Sequence, residues 1–186
     1  MSLHFAILGL LTLEPMSGYT LKTRYFDRSI AHFWPADQSQ IYRTLQTQER
    51  TGEVLSHAVT SDTRPKSRVY TITDSGRAAL ADWLAQDQPL HAQRDGFLVQ
   101  LYFARLLSRD QVLAVLTARR AELARRRDYF DRLDLPEPTS EKMRRQLVFG
   151  GLTLDFARRH DRMMVDWIEA CIAQISALPD SWDSPV

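Results

Sequence analysis

Between Leu3 and Leu13, the residues Phe5, Ile7, Leu8, Leu10 and Leu11 recur at a spacing that predicts a buried helix. Pro15-Met16-Ser17-Gly18 breaks that run, and Ser17 has the side chain to cap a second helix reaching about Arg28. Tyr19, Leu21, Tyr25 and Phe26 offer this helix its buried surface. Asp37, with Pro35 just ahead of it, predicts the start of a third helix, in which Ile41, Leu45 and Gln48 share one face at i, i+4 and i+7. Gly52 supplies its stop. Val54, Val59, Val69, Tyr70 and Ile72 then mark two strands, over residues 53–60 and 68–72, joined by a polar turn over 61–67. Thr73 caps a fourth helix to about Gln86, which packs through Ala78, Leu80, Trp83 and Leu84.

Three helices, a two-stranded hairpin and a further helix make the ground plan of a winged helix-turn-helix. The fold class expected is therefore mainly α, an α+β winged helix at the N-terminus followed by a helical domain. The outward face of the third helix carries Ser39, Arg43, Gln46 and Arg50, flanked by Gln40, Tyr42 and Thr47. No acidic side chain points out from its first turns, which suits approach to phosphates and base edges. Gln pairs with adenine and Arg with guanine, while Ser, Thr and Tyr reach phosphate. The hairpin tip adds Arg64 and Lys66, placed for the DNA backbone or the minor groove. Without that context the same residues describe a solvated helix face and a soluble hairpin tip, so both readings stand at this point.

Residues 88–94 are polar and read as a linker, which divides the chain into a winged helix over 1–87, a helical domain over 94–178 and a tail over 179–186. Residues 95–107 predict an apolar helix with Phe97, Leu98, Leu101, Tyr102, Phe103 and Leu106. Ser108 and Gln111 form a capping box for a long helix to about Leu133, whose inward residues are Val112, Val115, Leu116, Leu123, Tyr129 and Phe130. Arg119, Arg120, Arg125, Arg126 and Arg127 alternate with Glu122, Asp128 and Asp131, the pattern of an ion-paired, solvated face more than of a second nucleic-acid patch. Pro136 and Pro138 separate this helix from a last one. There Met164, Trp167, Ile168, Cys171, Ile172 and Ile175 make an apolar stripe that predicts a dimer seam. Gly150-Gly151 marks a kink or a close approach of two helices.

Composition narrows the chemistry. A net charge of +1 means that any nucleic-acid binding must come from a local patch. All but Lys22, Lys66 and Lys142 of the 24 basic residues are arginine, a bias that genome composition produces as readily as function. Cys171 is alone, so no internal disulfide is expected. His4, His32, His57, His91 and His160 are scattered, without a metal-ligand or nucleophile partner at a recognisable spacing, and there is no glycine-rich phosphate loop. No catalytic residue, metal or cofactor is therefore expected. The N-terminal apolar run lacks a basic flank and a cleavage site, and no stretch reaches membrane-span length, so a cytoplasmic protein without membrane association is expected.

AILGLL, SGY, FW followed by SQIY, RVYTITDSGRAAL and DWL, in that order, resemble the PadR family of bacterial transcriptional regulators, from about Phe5 to Leu107. The later helices fit the family's larger subgroup, and the likeness is to members that respond to phenolic acids. The resemblance implies a dimeric repressor that binds a palindromic double-stranded DNA operator and leaves it when a small aromatic molecule binds. It implies a recognition helix over residues 37–50 and a wing over 62–66. Many relatives have Pro where Arg43 stands and a later LxxLExxGL, whereas this chain reads RTLQTQERTGEVL, so its operator is expected to differ.

An effector pocket between the winged helix and the helical domain is well placed to bias the orientation of two DNA-binding heads. Gln38, Arg64, Tyr70, Phe97 and Trp167 are its candidates, with Gln38 expected on the inner side of its helix and Arg64 able to pair with a carboxylate. Phe97 and Trp167 serve equally as core. An acidic lining instead favours a cationic drug. The competing overall reading is a winged helix used for protein contact alone.

Overall fold

A computed structural model of the chain describes residues 2–61, 64–89 and 94–179, with side chains for all of these except 59–61 and 64–67. The chain divides into two compact units, Met1–Leu90 and His91–Val186.

In the first unit, helix α1 (Ser2–Leu11) buries Ile7, Leu8, Leu10 and Leu11, and so presents apolar surface to several neighbours at once. Met16–Ser17 form a two-residue strand, β1, that pairs with the later hairpin. Ser17 then caps α2 (Gly18–Thr20) by accepting from the Thr20 backbone N–H. The helix continues not as an α-helix but as a π-helical stretch, Leu21–Ser29, which buries Leu21 and Phe26. Tyr19, expected inside, is 63% exposed, because Leu21 and Phe26 occupy the inward positions instead.

Helix α3 (Gln38–Arg50) starts at a complete capping box. The Asp37 carboxylate accepts from the Gln40 backbone N–H, and the Gln40 side chain accepts from the Asp37 N–H. Ile41, Leu45 and Gln48 are buried behind it. Gly52 follows at φ 78°, a left-handed conformation that favours glycine. Strand β2 (Val54–Ser61) lies one residue on from the expected range, whereas β3 (Arg64–Ile72) is longer than the sequence suggested. Their ladder runs on through polar residues, where no alternation of apolar side chains betrays a strand. The sheet is antiparallel with order β1-β3-β2. Val54 faces Ile72, His57 faces Val69, and the register slips between Val59 and Ser61. Helix α4 (Asp74–Leu84) is capped by Thr73 and buries Leu80, while Phe5 of α1 stacks on Trp83 at 4.6 Å. Leu84, expected in that packing face, is exposed.

In the second unit, Asp95 caps a short helix, α5 (Gly96–Tyr102), which gives way to a 3-10 turn over Ala104–Leu106. The single helix expected over 95–107 is broken at Phe103, and Leu107 and Ser108 are extended where Ser108 closes the capping box of α6 (Arg109–Asp131). Helix α7 (Glu141–Ser176) runs antiparallel to α6: Arg109 Nη1 donates to the Leu178 carbonyl at 2.6 Å and Arg158 Nη2 to the Leu133 carbonyl at 2.7 Å. Val112, Leu116, Leu123, Val165 and Ile168 form the shared core.

The stripe read as a dimer seam faces inward: Ile168 is fully buried, and Met164, Trp167, Cys171, Ile172 and Ile175 pack on the core of their own chain. The buried seam of α7 runs Leu154, Ala157, Asp161, Val165 and Ile168, with a carboxylate at its centre. Tyr129, expected inward on α6, is 52% exposed because its neighbour Phe130 takes the buried position. The arginine-rich face of α6 is ion-paired as expected, through Arg119–Glu122, Arg120–Glu169, Arg127–Asp128 and Arg126–Asp161.

Candidate nucleic-acid interface

The rear of α3 is fixed to the rest of its unit by both apolar and polar contacts. Ile41 and Leu45 are fully buried. Gln48, also fully buried, donates from Nε2 to the His4 carbonyl at 2.8 Å, which ties the last turns of α3 to the first turn of α1. Near that junction His4 Nε2 lies 3.1 Å from Glu53 Oε1, and Thr51 donates to Glu53 Oε2 at 2.7 Å. These contacts set the roll of the helix and so decide which residues lie on its far face.

That far face is exposed and polar. Ser39, Gln40, Arg43, Gln46, Thr47 and Arg50 are all exposed, with Arg43 Nε donating to the Ser39 carbonyl at 3.3 Å. Carboxylates are drawn away from it. Asp37 is committed to the cap, and Glu49 is held at the rear edge by Ser56 and by Arg68 Nη1 at 3.3 Å. Removing acid from the outward face leaves Arg43 and Arg50 to set its potential, which favours phosphate. Thr47 turns its hydroxyl back to the Arg43 carbonyl at 3.1 Å, and Gln40 lends its oxygen to the cap, leaving its amide donors for a base or phosphate.

The remaining candidates are placed differently. Tyr42 is half-buried against Gly18 and the apolar core, beside the outward face rather than on it. The side chains of Arg64 and Lys66, and residue Asp62, lie outside the described residues. Gln38 is exposed in the first turn of α3, not turned inward as expected, since Ile41 and Leu45 fill the inner positions. Tyr70 is 2% exposed and built into the core; burial pushes its phenol above the usual range, and the charge of Arg68 offsets this only in part. Phe97 and Trp167 are brought together in the second unit, their rings edge to face with centroids 6.3 Å apart. One feature near α3 escaped the sequence: Leu3, His4 and Phe5 of α1 line an open groove of about 590 Å³ with Gln40, Arg43, Thr44 and Thr47. Only the fold brings those two segments together. Among the described residues no group of His, Cys, Asp or Glu is placed to hold a metal ion, and no helix is long and apolar enough to cross a membrane.

Comparison with known proteins decides the family. The profile of the transcriptional regulator PadR-like family matches residues 7–82, and that of the virulence activator alpha C-terminal domain matches residues 93–176. The negative transcriptional regulator PadR of Bacillus subtilis is 33% identical over 180 residues, covering 93% of this chain and 97% of that protein. The chain belongs to the PadR-like family of transcriptional regulators. Its fold is the PadR fold. The crystal structure of Bacillus subtilis PadR in complex with operator DNA superposes with a TM-score of 0.77 at 30% identity, over 94% of this chain and 99% of that one. The same protein in complex with p-coumaric acid gives 0.71 at 31% identity, over 95% and 99%. The PadR-like assignment fits a first unit whose polar, acid-free helix face is held rigid from behind.

Proposed function

We propose that this PadR-type regulator is a dimeric repressor that reads double-stranded DNA with α3 and is released by a small aromatic acid. The observation that carries the reading is the exposed, acid-free face of α3, fixed from behind by its capping box and by Gln48. Ser39, Gln40, Arg43, Gln46 and Thr47 contact bases and phosphates, with Tyr42 at the margin and the wing residues Arg64 and Lys66 on the backbone. The first unit is then the DNA-binding domain and the second the dimerisation and effector domain. We read no catalytic activity, and we place the protein in the cytoplasm, where its DNA target lies.

The dimer is supported by an apolar face on α7 that its own chain leaves open. Phe149, Leu152, Phe156 and Met163 are each more than half exposed, at a spacing of three, four and seven residues. A second copy laid on this face gives a two-fold dimer with two recognition helices, the symmetry that a palindrome calls for. The aromatic effector is supported by the likeness to a protein that binds p-coumaric acid and by the paired rings of Phe97 and Trp167. Gln38 and Arg64 remain its candidates in the first unit, whereas Tyr70 is committed to the core there.

Mobility shift with DNA from upstream of the gene and its neighbours, with and without p-coumaric acid, tests this reading. A retarded complex that the acid dissolves is expected. A complex indifferent to the acid removes the effector class, and no complex with any fragment leaves the winged helix as a protein-contact module.

A further inference from the structure

Arg119 of α6 is the one arginine of its helix described over an aromatic ring. Its guanidinium carbon sits 5.2 Å from the centroid of Phe97, whose other ring neighbour is Trp167 of α7. Glu122 holds the guanidinium from one turn on, with Nη1 to Oε2 at 3.2 Å. The Arg119 Nε has no exposed surface and no acceptor among the described residues. Such a donor is costly to bury, so its place is set by what the rest of the side chain gains, here the ring face and the Glu122 carboxylate.

Helix α5 has no fully buried residue, and it holds to the helical core through Phe97, Leu101 and the turn that follows. The backbone of Phe97 is pinned by the Asp95 carboxylate at 2.8 Å, so the freedom left to Phe97 lies in its ring. That ring has a cation against it and an indole at right angles to it, and the cation is the partner that a single substitution removes without emptying the core.

We infer that Arg119 is a positioning residue of the effector site: its guanidinium fixes the Phe97 ring against Trp167 in the orientation that an aromatic acid meets. This rests on the reading of Phe97 and Trp167 as effector contacts. Losing the cation leaves the ring free to turn, so the ligand must order it on binding and binds more weakly.

The test uses the full chain on its operator and reads the p-coumaric acid concentration that gives half release. Arg119→Met keeps the aliphatic stem and removes the charge, and Arg119→Lys keeps a cation without the planar fork. For Arg119→Met the half-release concentration is expected to rise on the order of tenfold, the scale of one lost cation–ring contact. Operator affinity without the acid and the melting temperature stay near wild type, and Arg119→Lys recovers most of the response. Release of Arg119→Met at the wild-type concentration overturns the inference, and so does a parallel loss of operator affinity and thermal stability. A wild-type complex that ignores the acid overturns the effector reading itself, and the role of Arg119 with it.

Discussion

The ring of Tyr42 occupies the space a side chain on Gly18 would need: a Cβ there would fall 2.7 Å from Tyr42 Cε1. Residue 18 must therefore lack a side chain for α2 and α3 to approach as they do. Gly18→Ala is expected to destabilise the winged helix by about 1–3 kcal/mol, the usual cost of an overpacked contact. In a domain of this size that lowers the melting temperature by roughly 4–8 °C per kcal/mol. Thermal unfolding followed by circular dichroism checks it, and an unchanged melting temperature would show that the ring swings aside freely.

Asp161 sits 1% exposed in the α6–α7 seam, gripped by two nitrogens of Arg126, Nε at 2.6 Å, with His160 Nδ1 at 3.1 Å. Arg126→Met leaves this carboxylate with His160 alone and is expected to cost about 3 kcal/mol, the low end for breaking a buried pair, since Arg126 itself is half in water. Asp161→Ala is expected to cost less, because the arginine left behind reaches solvent. Urea unfolding of the two variants ranks them, and the opposite order would contradict the account.

The same carboxylate gives a pH dependence. Burial pushes Asp161 up, but the hydrogen bonds from Arg126 and His160, with the Arg126 charge, outweigh it and hold the group below the usual 3.8. A folded-state value below the unfolded one stabilises the fold above the unfolded value and loses that stability as pH falls. Wild type is therefore expected to lose stability more steeply than Asp161→Asn as the pH is lowered through the region of 3.8 and below. Acid titration of the two proteins reads the difference, and superimposable curves would remove Asp161 as its source.

How much of this was legible in the sequence differs by element. The α3 face was readable because its cap, its apolar spacing and its glycine stop all agree, down to Gln48 turning inward at i+7. Strand β1 was not, since two residues, Met16 and Ser17, carry no periodicity of their own. The seam of α7 was misread because Asp161 lies in it: a charge marks a surface position unless its partner, Arg126, 35 residues away, is known to be beside it. With the charged position discounted, the apolar stripe shifted towards Met164 and Ile172.

That shift changes where a dimer breaks. Phe156→Glu places a charge on the open face of α7 and is expected to give a folded monomer at concentrations where wild type is a dimer. Ile172→Glu instead charges the packed side and is expected to unfold the helical unit. Sedimentation with circular dichroism separates the two outcomes, and a folded, dimeric Phe156→Glu would move the interface elsewhere.

On the proposed reading the wing acts through charge. Lys66→Ala is expected to weaken binding to operator and unrelated DNA alike and to flatten the salt dependence by about one unit of slope. Affinity measured across a salt series checks it, and a loss confined to operator would make Lys66 a base contact.

Sequence reading by α3 is measured by the affinity ratio between operator and a scrambled duplex, for wild type and for Arg43→Ala. Wild type is expected to prefer its operator by at least about a thousandfold. Arg43→Ala is expected to lose about 1–3 kcal/mol on the operator and little on the scrambled duplex. Equal affinity of wild type for both duplexes would contradict the account.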